Sequence, residues 1–368
     1  MAPAKPNSEL TVRDQLKKFI LKGVLGFQTV LVHYLGTKLG IFDHLYEKGK
    51  VLSVSGKVNS ITFSLDELAQ KLQLNHRYLD AWLHMALICG VFEIDESCDK
   101  CLKTAPHVYD IMVNRESMFY MGGALNVFYI GSKFQEVSEE GFKTGELRPF
   151  VEGLYQESPE DNRLAQSGTT SIVLQIEGLF SKHFKDHKRI LRKGGLLLEA
   201  GCGYGYNLKF WARKYKKAEI VGIDIDPLGI AYTKEIVAKN NWNNRVEVFH
   251  IPIDEYVALN KNKFDVAMLN QVLHEMDPNE NYRRGVFEDL YTTLKKGGLL
   301  IVVEDMIPSL FTPTDRFVLF EVWHKYLEVG LKSKFYDEKE FQEFIATTSF
   351  KKAEFIREKG DYFWALRK

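Results

Sequence analysis

The sequence predicts an α/β chain in two parts: a helical first half, then a mostly parallel sheet covered by helices on both faces and closed by an antiparallel hairpin. Three observations predict it. From about Arg189 onward, short apolar runs alternate with helical stretches, the order of a parallel sheet. The last two apolar runs, KKAEFIRE and DYFWALRK, are separated only by a short turn, which reads as a hairpin. Upstream of residue 185, apolar residues recur mainly at helical spacing.

At 368 residues the chain exceeds one ordinary domain, so two domains with a helical connector are expected. Apolar residues make up 45% and charged residues 27%, a globular balance with material for a core. Lys plus Arg equals Asp plus Glu at 49 each, so no excess positive charge favours nucleic acid or acidic lipid. Four cysteines do not make a disulfide scaffold, and a reducing cytoplasm fits. Cys98 and Cys101 have CxxC spacing, but no second pair or nearby histidine pair completes a four-ligand zinc site. Two cysteines in a polar turn are expected. The polar start, MAPAKPNSELTVRDQ, lacks the apolar core of a signal peptide. The stretch Val24–Phe42 is interrupted by Gln28, His33 and Lys38; a buried helix is expected there rather than a membrane span.

Taken in order, residues 1–14 are expected to be flexible. The run from Leu21 to Tyr34 is apolar on more than one face, so the helix should be buried, in part against a partner chain. Ser64-Leu-Asp-Glu67 has capping-box spacing ahead of one helix, and Asn75 precedes a second that Gly90 can end. VFEIDE and LKTA then suggest a short hairpin. Helix, helix, hairpin is a winged-helix order over residues 15–110. Reading DNA would need basic residues on the second helix, which offers only Arg77 with His76 and His84, so dimerisation and substrate positioning are the expected roles. Residues 111–185 form a helical connector rich in Phe, Tyr and Met, suited to the wall of an apolar pocket, with a loop at Gly145 and Pro149. Residues 186–368 hold the strands GLLLEAG, AEIVGIDID, RVEVFHI, FDVAMLN and GLLIVVED, then the hairpin.

The chemistry concentrates where the first of these strands ends, at Glu199-Ala-Gly201-Cys-Gly203-Tyr-Gly205. Glycines there let backbone approach a ligand, at the strand end where open α/β sheets bind ligands. The third glycine comes one residue too early for the dinucleotide pattern. Asp224, ending the next strand roughly 20 residues on, can accept both ribose hydroxyls. Glu199 would repel a pyrophosphate but can engage an amine. S-adenosylmethionine (SAM) has the amine and the ribose and no phosphate.

EAGCGYG, VGIDID, FDVAMLNQVLHEM and LKKGGLLIVVED, in that order, resemble the class I SAM-dependent methyltransferases. The winged-helix half and VLHEMDPNENYRRGVFEDLYTTLKKGGLLIVVEDMIP resemble the plant-type small-molecule O-methyltransferases. The resemblance implies a Rossmann-like SAM domain behind an all-helical, winged-helix-like dimerisation domain. It places Gly201, Gly203 and Gly205 along the methionine and ribose, Asp224 on the ribose, and Asn270 and Glu199 among the cofactor-facing residues. The acidic residue near the adenine counts to Pro252; Asp254, two residues on and on the same side of a strand, is carried in its place. His274 stands at the position of a general base, with Glu275 beside it and Glu304 as the carboxylate that orients the ring. A second orienting carboxylate counts to Phe335.

The expected protein is thus a homodimeric, cytoplasmic SAM-dependent methyltransferase for a small-molecule acceptor at oxygen, with no nucleic acid or membrane partner and no metal. Two alternatives accompany it. His274 and His324, with Gln271 or Glu304, would hold a metal for C-methylation of a keto acid or acyl substrate. Or the winged helix binds DNA and the SAM domain senses a metabolite.

Overall fold

The computed structural model describes residues 11–53, 58, 60–117, 119–133, 135–147, 159–310, 319–358 and 361–368. They form two compact units, one up to Tyr129 and one from Ile130. The expected flexible start falls largely on residues 1–10, and the expected loop residue Pro149 also lies outside the described residues.

The first unit opens with helix Val12–Phe19, a π-helical turn at Ile20–Val24 and helix Leu25–Lys38. Thr11 caps the start in a capping box with Asp14. Two expectations change here. The helix is buried only in its second half, at Val32, His33, Tyr34 and Gly36, while Leu16, Phe19, Ile20, Leu21 and Phe27 are exposed. Among the described residues, Val12–Lys38 is also the one helical run long and apolar enough, by length and composition, to cross a membrane, with 22% of its most apolar window buried. Extending the run upstream of Val24 adds Phe19–Leu21 ahead of the polar interruptions.

Ser64 caps helix Leu65–Leu72 by accepting from the Glu67 amide at 3.0 Å. Asn75 caps helix His76–Ile88. Strands β1 (Thr62–Ser64), β2 (Phe92–Ile94) and β3 (Cys101–Thr104) form an antiparallel sheet in the order β1-β3-β2. The hairpin read from the sequence is β2–β3, and β1 adds a third strand to it. Phe63, Trp82 and Phe92 meet edge to face beneath it. The expected polar turn joins β2 and β3, and Cys98 within it is bridged to Cys101 at the start of β3, their Cα atoms 5.4 Å apart, within reach of a disulfide.

The second unit is built on seven strands: β4 (Leu196–Ala200), β5 (Glu219–Asp224), β6 (Val246–His250), β7 (Phe264–Asn270), β8 (Leu294–Val303), β9 (Glu354–Glu358) and β10 (Asp361–Arg367). Their order is β6-β5-β4-β7-β8-β10-β9. The first five are parallel, and β10 runs antiparallel to both β8 and β9. This is the Rossmann-like sheet with a terminal hairpin that the alternation of elements predicted. Burial on both faces explains why β4 and β7 are continuous apolar runs. Leu197, Val266, Met268 and Ile301 pack against Phe180 and Trp211 on one face. Leu198, Ala267, Leu269 and Val302 pack against Phe287 and Phe341 on the other.

The chain leaves β4 toward β5 and leaves β7 toward β8. These connections diverge, so a crevice opens beyond the carboxyl ends of neighbouring β4 and β7.

Candidate active site

Backbone conformation explains the first glycine of the loop. Gly201 has φ +76°, and a Cβ there would stand 2.3 Å from Cγ2 of Val272. Any side chain would collide with the segment after β7 that forms the opposite wall. Gly203, at φ +47°, donates its amide to Asp224 Oδ2 at 2.7 Å. The Oδ1 atom of Asp224 accepts from the Asp226 amide at 2.8 Å. The aspartate thus fixes the loop as well as facing the crevice. Burial pushes its carboxyl up, and the two backbone amides oppose that. Gly205, the N-cap of helix Tyr206–Lys214, starts that helix from the left-handed region.

A cavity of about 350 Å³ lies at the ends of these strands, lined by Gly201, Asp224, Asp226, Val272, Glu275 and Tyr282 among others. Ile223, Ile225, Ile251 and Ile253 give it apolar walls. Among the described residues, several polar atoms close to it have no hydrogen-bond partner. Glu199 is fully buried, and among the described residues neither carboxylate oxygen has a hydrogen-bond partner. Burial, partly offset by Asn207 and increased by the charge of Asp224, raises its carboxyl to about 8. Asn270 is buried at the end of β7, and neither of its side-chain amide atoms has a partner among the described residues. Unpaired buried groups of this kind are costly, and a ligand bearing a cation and hydrogen-bonding groups would relieve them.

Of the residues expected to face a cofactor, Gly201 and Asp224 line the cavity. Gly203 reaches it through Asp224, and Gln166 stands over Gly203, 3.2 Å from where its Cβ would be. Asp254 is a correction. Pro252 ends the extended segment and begins helix Ile253–Leu259, so Asp254 is helical and lies within reach of Tyr282 Oη at 3.5 Å, outside the lining. Asp226, Tyr282 and Lys332 line the cavity without having been read from the sequence. Asp226 carried a signal, as the acid of an Asp-Pro helix start.

Beyond β7 and β8 lies a second cluster. His274 is fully buried. Its Nδ1 lies 2.7 Å from Glu304 Oε1, and its backbone amide donates to Glu304 Oε2 at 3.0 Å. The expected orienting carboxylate is therefore in contact. Glu275 is 3.8 Å from His274 Nε2, too far for a hydrogen bond, and faces the cavity. Phe335, counted as the second carboxylate position, instead stacks on the His274 ring at 4.8 Å.

The second carboxylate comes from Glu328, at the end of helix Leu319–Glu328. Its Oε2 is 3.0 Å from His274 Nε2, but off the line a hydrogen bond needs. Its Oε1 is 2.9 Å from His324 Nε2. His324 Nδ1 is in turn 2.8 Å from Asp305 Oδ2. Gln271 donates to Asp305 rather than approaching either ring. Burial alone would lower His274, but Glu304 and then Glu328 override it and hold the imidazole well above its usual range. His324, likewise desolvated, is pushed up to about 10, chiefly by Glu328. Glu328 is held below the carboxylate range by His324 and His274, against its burial. Burial raises Glu275 well above its ordinary value.

Residues 198–300 match a family model described as a methyltransferase domain. The erythromycin 3''-O-methyltransferase of Saccharopolyspora erythraea is 30% identical over 119 residues, 32% of this chain and 37% of that protein. The ribosomal protein L11 methyltransferase of Thermosipho africanus is 26% identical over 195 residues, 50% of this chain and 69% of that one. The chain thus spans little more than a third of the first of these relatives. An O-methyltransferase family protein from Burkholderia thailandensis superposes with a TM-score of 0.65 at 14% identity, over 98% of each chain. Human N-acetylserotonin methyltransferase in complex with SAM gives 0.64 at 15% identity, over 99% of each. Residues 198–300 thus match a methyltransferase domain, and the described residues share the fold of these solved methyltransferases.

Proposed function

We propose that this chain, a class I SAM-dependent methyltransferase by its matched domain and fold, transfers a methyl group to an oxygen atom of a small-molecule acceptor. The observation that carries the reading is the crevice lined by Asp224, which ties down the glycine loop, with Glu199 in β4 and Asn270 at the end of β7 buried and without hydrogen-bond partners among the described residues. The residues fit SAM. Asp224 accepts from the sugar diol, the isoleucines around Ile225 and Ile253 supply surface for a purine, and Glu199 meets the amine. When bound, SAM supplies an electrophilic methyl on a sulfonium.

The chain's own residues hold and deprotonate the acceptor. Much of the rate in such a displacement comes from positioning the two partners in line. Glu304 accepts the Nδ1 proton of His274, which leaves Nε2 as the basic atom. Nε2 takes the hydroxyl proton of the acceptor, and Glu328 beside it stabilises the imidazolium that forms. Loss of SAM binding in Asp224→Ala, measured by calorimetry, tests the cofactor site.

The same reading includes a homodimer. Helix Val12–Lys38 exposes Leu16, Phe19, Ile20 and Phe27, an apolar face that a second copy would cover.

A further inference from the structure

We propose that the Cys98–Cys101 pair at the β2–β3 turn is a reversible thiol–disulfide exchange site, opened at Cys98 by small-molecule thiols, and not a staple of the hairpin.

The turn is closed without the bridge. The Asp95 amide donates to the Cys101 carbonyl at 3.0 Å, and the Cys98 amide donates to the Asp95 carbonyl at 3.2 Å. The Asp95 carboxylate accepts from the Ser97 amide at 3.1 Å, from Ser97 Oγ at 2.6 Å and from Thr62 Oγ1 at 2.6 Å. The turn is thereby tied to β1 as well. Strand β3 pairs with both β1 and β2, over the buried rings of Phe63 and Phe92. The two cysteines are only 3 residues apart, and so short a loop removes little freedom from the unfolded chain. A bridge that adds little to folding is held closed by little, and exposed bridges are the exchangeable ones.

Access and charge choose the sulfur. Cys98 is exposed, while Cys101, at the start of β3, is half-buried, so an incoming thiolate meets Cys98 first. Within two residues in the chain, Cys98 has the acids Glu96 and Asp99 against Lys100. Cys101 has Asp99 against Lys100 and Lys103. Nearby cations favour a thiolate, and the thiol that ionises more readily leaves faster, so Cys101 is the leaving sulfur. The acids beside Cys98 also favour a cationic thiol over an anionic one.

In the exchange, a thiolate bonds to Cys98 Sγ as the Cys98–Cys101 bond breaks. The electron pair stays on Cys101, which takes a proton from water, and a mixed disulfide remains on Cys98. A second small thiolate attacks its outer sulfur, releasing a small-molecule disulfide and leaving two protein thiols. Return of Cys101 to Cys98 instead expels the small thiol and remakes the bridge.

The test uses full-length protein equilibrated with reduced and oxidised glutathione. Free thiols are alkylated, and the peptide holding residues 98–101 is weighed by mass spectrometry. The expected result is a bridge closed in oxidised glutathione and opened within minutes in excess reduced glutathione, with the thermal midpoint moving by only a few degrees. Cysteamine should open it faster than glutathione at low salt, and added salt should narrow the gap. In Cys101→Ser, Cys98 should take up glutathione from its disulfide several-fold faster than Cys101 does in Cys98→Ser. A bridge that stays closed in excess reduced glutathione overturns the proposal, as do thiols that never pair in the oxidised form, a midpoint that falls by about ten degrees or more on reduction, or equal rates in the two single variants. None of these readouts depends on the methyltransferase reading.

Discussion

Gly203 and Asp224 are joined by a 2.7 Å hydrogen bond from the backbone amide of one to the carboxylate of the other. Through it, the side chain proposed to grip the sugar of SAM also sets the shape of the glycine loop. Asp224→Asn keeps the side-chain shape but not the charge-assisted bonds. It should weaken SAM binding at least tenfold, with a smaller loss for Asp224→Glu than for Asp224→Ala. Calorimetric titration of the three variants checks the order.

Gly201→Ala should be the more severe change. Its added methyl meets Val272 at 2.3 Å in a backbone conformation that alanine rarely adopts. A lowered thermal midpoint and a loss of SAM affinity are both expected. Pairing it with Val272→Ala should recover part of the affinity, because the nearest clashing atoms are removed while the φ strain stays.

Glu199 is raised to about 8 by burial, well above an unfolded carboxyl near 4.5. A raised pKa means stability is fully present below the unfolded value and is lost as pH rises through the folded one. The free protein should therefore lose stability between about pH 4.5 and 8 on account of this group, and Glu199→Gln should remove that dependence. The same substitution should weaken SAM binding, since it deletes the partner for the amine. Thermal midpoints across pH, with and without SAM, check both halves.

His274 is held well above 6.5 and His324 at about 10. Stability from both is present below the unfolded value and declines as pH climbs through the folded ones. As a base, His274 works only when unprotonated, so turnover should rise with pH above neutrality. Removing a raising charge with Glu328→Gln should shift that rise to lower pH. A pH–rate profile that does not move in this variant contradicts the role given to Glu328.

Leu16→Glu together with Phe19→Glu should convert a dimer to monomers while leaving SAM affinity within a few-fold of wild type. Light scattering reads the mass.

The sheet was legible because its strands are buried on both faces and bounded by glycines and caps, so each reads as a short apolar run. Asp224 and His274 drew notice for a related reason: both are polar residues at or just past the carboxyl end of such a run, Asp224 lining the crevice and His274 buried beyond β7. Glu328 was not. It follows residues 311–318 and reaches His274 only through tertiary packing, while ungapped counting landed on Phe335. Asp254 was misplaced because Pro252 turns an expected strand into a helix start. The polar turn at Cys98 was legible, but spacing alone does not say whether a turn brings two sulfurs together.

The central claim is that the crevice beyond β4 and β5 holds SAM. Calorimetric titration of the full chain with SAM and with S-adenosylhomocysteine tests it most directly. One site per chain, with an affinity on the order of micromolar to a few hundred micromolar that disappears in Asp224→Ala, is the predicted result. No heat from well-folded wild-type protein, or equal binding by the variant, contradicts it.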